Sequence, residues 1–595
     1  MKHNFYMLDI DLSSETSKTV DITDLFDKWI GGAGVATKLL IDSVPPSADP
    51  LSEDNVVIFA IGPLNNQFPV MTKTTAMFKS PLTGDLGESH AGGNFGLALY
   101  QAGFHALRIR GKAKHFSYIK IKNDQVEIIK SDSLKNMTAT ATRRIFMDIY
   151  GKEHMQSVLR IGPAGERLSP IACLCVDASR HFGRLGLGAV FGSKNLKALL
   201  ISGDKYWTLP KTKYNKLYKN IFKEVTQSEI MKKYHDLGTA VNVIPLSKIN
   251  GLPVRNYSQG FFESAENISG EAMANKHLAQ KIACAGCPVG CIHLGDVREM
   301  FEAKHHMYKT KRVSYDHEPI YAMGSNLSIS SSDTVLKLLH KSEREGWDVI
   351  SIGVTLAWAT EAFQKRLITE EETDGEILNF GDGETYLRIL DKISEGVNEF
   401  YKDLEKGTAF CAKKYGGEDF AIVFNKNEAP GYLTGIMAFI GYATDTRHSH
   451  LGNGGYAMDQ KPNIKELSTE DKVKALYEEG IWRILSTSLS ACLFSRHIYN
   501  KPEIIPDMLK SLDICDLSDE ELLKKARIIH GMKYKFKFEC GFKLENIKLP
   551  EKLLHVMTAT GKLKQEEFEK SLELFSQYVK DDVKLYEEVE GQQKH

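Results

Sequence analysis

Three of the chain's nine cysteines, Cys284, Cys287 and Cys291, fall within the stretch "CAGCPVGC". Thiols at this spacing, held in one loop with Gly286, Pro288 and Gly290 between them, suit a metal site or a reactive thiol group. The glycines let the backbone wrap closely and turn its amides inward, which favours a group carrying negative sulfide charge. An iron–sulfur cube and an all-cysteine zinc site both require a fourth thiolate. Cys173, Cys175, Cys411, Cys492, Cys515 and Cys540 are the remaining candidates. Spacing does not choose among them, and iron–sulfur, structural zinc and a redox dithiol all remain open.

The chain around this loop has 595 residues, enough for several domains and a large core. It is 42% hydrophobic and 26% charged, with a formal net charge of -1. Such a balance gives no footprint for nucleic acid or an anionic membrane. The N-terminal stretch has no secretory pattern, and no apolar run has the length of a bilayer span. A cytoplasmic protein is therefore expected, in which clustered cysteines serve as ligands rather than crosslinks.

The first 200 or so residues are glycine-rich and strand-like. "FSYIKIKNDQVEIIK" predicts a hairpin turning at Asn123-Asp124, and "NVVIFAIGPL" and "NLKALLISG" predict buried strands. "SPLTGDLGESHAGGNFG" (80–96) is expected to be a shaped loop without regular structure. Beyond residue 209 the period becomes helical, as in "KYNKLYKNIFKEVTQSEIMKKYH", "DTVLKLLHKSEREG" and "EDKVKALYEEGIWRIL". An α+β fold is predicted: a β-rich domain over 1–208, a helical domain over 209–420 carrying the cysteine loop, and a second helical domain over 421–595. The final "KDDVKLYEEVEGQQKH" is expected to be a solvated, fraying helix.

Several collinear segments resemble the tungsten-dependent aldehyde:ferredoxin oxidoreductase family. They include "WIGGAGVATKLL", "KSPLTGDLGESHAGGNFG", "SRHFGRLGLGAVFGSKNLKAL", "CAGCPVGC", "YDHEPIYAMGSN", "GWDVISIG", "GYATDTRHSHL" and "SLSACLF". The resemblance implies that Cys492 is the fourth ligand of one [4Fe–4S] cluster. It also implies a tungsten ion, or molybdenum in its place, bound by the dithiolenes of two pterins, with Mg2+ bridging the pterin phosphates. The substrate implied is a small aldehyde, oxidised to a carboxylate. Electrons would pass to ferredoxin or another iron–sulfur carrier, and a homodimer is compatible with the resemblance.

The same resemblance distributes roles. His90, Ala91, Gly92 and Gly93 form a backbone bed for pterin phosphates, where N–H groups meet anionic oxygens. Lys73 stands where relatives carry an arginine, keeping the charge but losing the bidentate fork. Arg180 and Arg184 are the remaining phosphate contacts, with His181 between them. Asp348 is expected on the guanidine-like edge of a pterin. Thr487 stands where a second such aspartate is usual, and Ser490 where a glycine is usual. Ala33 replaces a basic residue. These departures mark a divergent member with one pterin held differently.

Glu318 and a histidine of "TDTRHSHLG" are expected to move protons at the metal, His450 as first choice and His448 as second. "KHHMYKTKR" (304–312) is a candidate docking face for an acidic carrier. Two rival readings stand beside this one. The first is the tungsten subunit of a multi-subunit, low-potential reductase of the aryl-CoA type; the second is a zinc-stapled protein with no catalysis.

Overall fold

The computed structural model describes residues 3–151, 155–206, 209, 212–300, 308–501 and 503–592. Two six-stranded sheets make up the first third. One runs in the order Thr16–Asp21, Tyr6–Asp11, Ala106–Arg110, Val57–Ile61, Thr74–Lys79, Leu86–Ala91. The other runs Arg180–Phe182, Leu174–Val176, Met155–Arg160, Leu196–Gly203, Ser117–Lys122, Gln125–Lys130. The predicted hairpin is present, with Asn123 at φ +55° between Ser117–Lys122 and Gln125–Lys130.

The segment 80–96 departs from expectation. Leu86–Ala91 is a strand paired antiparallel with Thr74–Lys79, and a helix begins at Phe95. Both faces of this edge of the sheet are covered, so its residues need not alternate in polarity and Gly and Ser are tolerated in a strand. The glycine bed is therefore the end of a strand, not a free loop.

From residue 212 onward the chain is mainly helical. Thr212–Gln227, Ser332–Glu345 and Thr469–Ser488 realise the predicted amphipathic runs. Val349–Gln364 is buried over most of its surface and forms the central helix of the middle region. One three-stranded antiparallel sheet, Leu278–Ile282, Ile292–Met300 and Tyr308–Tyr315, interrupts the helices. The cysteine loop connects its first two strands. The basic stretch 304–312 lies partly outside the described residues; its remainder, 308–312, belongs to the third strand. The last helix, Gln565–Gln592, is not merely solvated, because Val579, Asp582 and Tyr586 are buried against the body.

Three backbone links bring the distant segments together. Ala285 N–H donates to Gly93 O at 3.1 Å, so the cysteine loop rests on the glycine bed. Lys73 N–H donates to Ser490 O at 2.9 Å, and Cys492 N–H donates to Val70 O at 3.1 Å. Cys492 thus enters from the C-terminal helices on a short ladder with the N-terminal sheet.

Candidate active site

Cys284, Cys287, Cys291 and Cys492 all line one cavity of about 420 Å³, a size typical of ligand sites. Gly286 and Gly290 carry the loop through left-handed backbone at φ +76° and +62°. Gly92 faces the first thiol so closely that an added Cβ would fall 2.5 Å from Cys284 Sγ. Burial, reinforced by the neighbouring thiols, pushes Cys287 up to about 12 and Cys291 up to about 11. Cys287 and Cys291 would ionise only with a cation beside them. Among the described residues, no group of three or more Cys, His, Asp or Glu is arranged to hold a single metal ion. Four thiols around one cavity could hold a metal centre.

Beside the thiols lies a basic wall. Burial works against the charge on Lys73, but Cys492, Cys284 and Cys291 hold its pKa above the ordinary value. Arg180 leaves its buried Nε, and Arg184 its buried Nη1, without a hydrogen-bond partner. Orphaned guanidinium donors aimed at a cavity call for an anionic acceptor there. Arg184 is fixed by its other nitrogens: Nε donates to Asp348 Oδ2 at 2.9 Å and Nη2 to Glu428 O at 2.8 Å. Asp348 caps the helix Val349–Gln364, accepting from Ile350 N–H at 3.1 Å and from Ser351 Oγ at 2.6 Å. Ser351 Oγ also lies 2.6 Å from Glu428 Oε2. Spacing gave no hint of Glu428, which the fold supplies as the buried end of this network.

The other expected cofactor contacts are placed as follows. Ala91 ends its strand at the cavity, Gly92 lines it, and Gly93 turns at φ +97° before Asn94, whose N–H donates to Asp177 Oδ2 at 3.0 Å. His90 lines the cavity with its ring engaged, Nε2 2.8 Å from Glu88 Oε1 and Nδ1 3.1 Å from Thr75 Oγ1. Burial and then Arg447 lower His90 to about 4, so the ring is neutral. His181 opposes Cys175 across an antiparallel pair and lies 3.9 Å from Glu343. Burial opposes charge on His181, yet Cys175 and Glu343 hold its pKa above the ordinary value. Thr487 also lines the cavity, but its hydroxyl donates back to Arg483 O at 3.0 Å and Ile484 O at 3.1 Å. That hydroxyl spends its proton on its own helix.

The far end of the cavity holds Glu318 and His450. Glu318 sits in the first turn of the helix His317–Met323, and its Oε2 accepts from Gly431 N–H at 2.9 Å. Its Oε1 lies 3.3 Å from His450 Nε2. Burial raises Glu318 to about 8, with nearby Asp316 adding to the rise. Burial, then Arg184 and the nearby Arg483 and Arg447, keep His450 well below its ordinary pKa. Tyr432 and Tyr456 flank the His450 ring at centroid distances of 5.2 and 5.6 Å. Arg447 comes from the same segment as His450, and Tyr432 carries no sequence signal.

His448 is not in this group. Its Nδ1 lies 3.0 Å from Tyr442 O, and its Nε2 lies 3.1 Å from Asn425 Nδ2 and 3.2 Å from Lys537 Nζ. Burial, then Lys537, lowers it to about 3. With φ at +54° the backbone turns here, so alternate histidines diverge to opposite sides of the segment.

Thiols, orphaned cations and a tuned carboxyl–imidazole pair around one cavity are the equipment of a redox enzyme. The chain belongs to the aldehyde ferredoxin oxidoreductase family: that family's N-terminal domain matches residues 7–203 and its domains 2 and 3 match residues 216–581. It is 32% identical over 540 residues to the tungsten-containing aldehyde ferredoxin oxidoreductase of Pyrococcus furiosus, covering 87% of this chain and 86% of that protein. It is 29% identical over 511 residues to the WOR-like subunit of an aliphatic sulfonate oxidoreductase from the same organism, covering 80% and 78%. The BamBC active-site complex of benzoyl-coenzyme A reductase shares the fold, with a TM-score of 0.80 at 20% identity, over 98% of this chain and 95% of that one. The chain is thus an oxidoreductase of α+β architecture, a divergent member of a family whose relatives are tungsten-containing. No described helix is long and apolar enough to cross a membrane.

Proposed function

We propose that this enzyme oxidises a small aldehyde to a carboxylate in the cavity between Glu318 and the four cysteines. The observation that carries the reading is the Glu318–His450 pair at 3.3 Å, held on the same cavity as the cysteines and the unpaired arginine nitrogens. When bound, a tungsten bis-pterin centre would supply two-electron chemistry, and a [4Fe–4S] cluster held by Cys284, Cys287, Cys291 and Cys492 would supply single-electron transfer towards a ferredoxin-like carrier. Lys73, Arg180 and Arg184, with the amides of residues 91–93, would hold the pterin phosphates and any Mg2+ bound with them. Asp348 keeps Arg184 aimed at the cavity and offers its edge to the pterin.

The chain's own chemistry is proton handling. Glu318, in its carboxylate form, accepts a proton from the water that supplies the new oxygen. Gly431 N–H fixes the carboxylate through Oε2, leaving Oε1 towards His450. His450 stays neutral, so its imidazole can orient substrate or pass a proton without adding a buried charge. The aromatic rings of Tyr432 and Tyr456 exclude bulk water from this end.

Elemental analysis of anaerobically purified protein, with a screen of free aldehydes, tests this function. Tungsten with about four irons per chain and aldehyde-dependent dye reduction is expected; zinc with neither tungsten nor molybdenum would overturn it.

A second reading, a tungsten subunit of a larger reductase, draws support from Thr487 in place of an aspartate and from the relative described as a subunit. Co-purifying iron–sulfur subunits and activity on thioesters but not aldehydes would select it.

A further inference from the structure

A second, smaller cavity of about 30 Å³ adjoins the first. Glu88, Arg447 and Thr487 line both. Its volume suffices for a water molecule, and its polar wall offers the partners that such a water needs. Glu88 forms one side, with Oε1 2.8 Å from His90 Nε2 and Oε2 2.7 Å from Lys533 Nζ. Lys533 and Glu88 side chains are almost fully buried, at 2% and 3% exposure. Tyr477 and His530 also line it.

Beyond those two residues the chain of polar groups continues outward. His530 Nδ1 lies 2.9 Å from Asp582 Oδ2, and Tyr477 hydroxyl donates to the same oxygen at 2.8 Å. Asp582 Oδ1 accepts from Arg527 Nε at 2.9 Å, and the Arg527 side chain is 43% exposed. Arg527 and the exposed Asp581 line a pocket on the surface. Three helices, Thr469–Ser488, Asp519–Glu539 and Gln565–Gln592, each contribute to this line. Packing alone would be served by apolar residues at these positions; a file of proton-exchanging groups from the catalytic cavity to Asp582, directly beneath the exposed Arg527, serves transfer.

We propose that Glu88, the water-sized cavity, His530 with Tyr477, and Asp582 form a proton route between the catalytic cavity and the surface. The need for it rests on the aldehyde reaction proposed above. There an aldehyde and a water become a carboxylate, three protons and two electrons. The electrons leave by way of the cysteine site, and the protons require an exit of their own. A proton received at Glu88 passes through the cavity water to His530 or Tyr477, which each release one towards Asp582; Asp582 yields it to water reaching in beside the exposed Arg527, whose guanidinium keeps its own protons. No net charge then accumulates in the interior. His90 is a positioning residue, holding the Glu88 carboxylate through its Nε2.

The route is tested without any substrate. The holoenzyme is mixed into D2O at a pH well below that at which Glu318 titrates, and infrared spectroscopy follows the shift of the protonated Glu318 carboxyl band. That band is assigned by difference against Glu318→Gln. Asp582→Asn, which keeps shape and leaves the exposed Arg527 to solvent, should slow the exchange roughly tenfold or more. The double variant His530→Gln with Tyr477→Phe should do the same, and it decides the matter should Asp582→Asn fail to fold. Unchanged exchange in a folded variant overturns the route. Absence of aldehyde oxidation by the unmodified enzyme would instead defeat the reaction, while the exchange rates still decide the route.

Discussion

Glu318 Oε1 lies 3.3 Å from His450 Nε2, with Glu318 raised to about 8 and His450 held neutral. The proton that the pair loses near neutral pH is therefore the one on the Glu318 carboxyl, while the imidazole keeps its single N–H. If the carboxylate is the base, kcat/KM should climb about tenfold per pH unit below 8 and level off above it. Glu318→Gln should lower kcat/KM by roughly 10²–10⁴ with tungsten and iron content unchanged. The stability consequence has the opposite sense. A carboxyl whose pKa is raised by folding stabilises the protein below its unfolded pKa, and this contribution is lost as pH rises through about 8. A flat pH–rate profile from pH 6 to 9 in the unmodified enzyme would remove Glu318 from proton transfer.

His448 and His450 differ by two positions and by everything around them. His448 is a neutral ring wedged among Tyr442 O, Asn425 and Lys537, and Lys537 in turn lies 3.0 Å from Asp85. His448→Gln should cost roughly 1–3 kcal/mol by leaving buried groups unpaired, seen as a lower Tm, with kcat within about twofold of the parent. His450→Gln should show the reverse pattern, an almost unchanged Tm and a kcat lower by about 10² or more. A large loss of kcat in His448→Gln at unchanged Tm would reverse the assignment.

Gly92 tests how tightly the glycine bed is fitted to the cysteine loop. Its backbone is not in the left-handed region, so alanine imposes no strain of its own. The cost of Gly92→Ala arises where the new methyl meets Cys284 Sγ at 2.5 Å, well inside contact distance. Iron content and the visible absorbance of a cluster should fall by about half or more, while far-ultraviolet circular dichroism stays unchanged. Full iron occupancy in the variant would show that the loop can move aside.

Much of this arrangement was legible because local chemistry announced it. The thiol loop, the Asn123 turn and the long amphipathic helices each follow from residue type and period. What was not legible depended on distance or on burial of both faces. Cys492 lies 201 positions beyond Cys291, and only resemblance linked them; the physical link is the ladder from Val70 to Lys73 with residues 490–492. Leu86–Ala91 escaped notice because a strand covered on both faces shows no alternation. The His448–His450 ambiguity could not be resolved from spacing, since a positive φ at His448 decides which ring reaches the cavity. Glu88 and Lys533 are separated by most of the chain, and nothing in either segment predicts their contact.

Ser490 carries the last expectation. It is fully buried at φ +72°, a conformation in which a side chain is disfavoured by about 1–2 kcal/mol. The residue compensates with its hydroxyl, which accepts from Gly62 N–H at 2.6 Å. Its carbonyl holds Lys73 N–H, so the same residue sets the ladder that delivers Cys492. Ser490→Gly relieves the strain but strands the Gly62 donor, a loss of about 1–3 kcal/mol, and should come out close to neutral or mildly destabilised. Ser490→Ala keeps the strain and also strands the donor, so its Tm should fall further than that of Ser490→Gly. Thermal scans at one protein concentration and equal metal loading decide the order. If Ser490→Ala proves at least as stable as Ser490→Gly, the left-handed turn is not what makes glycine acceptable at this position.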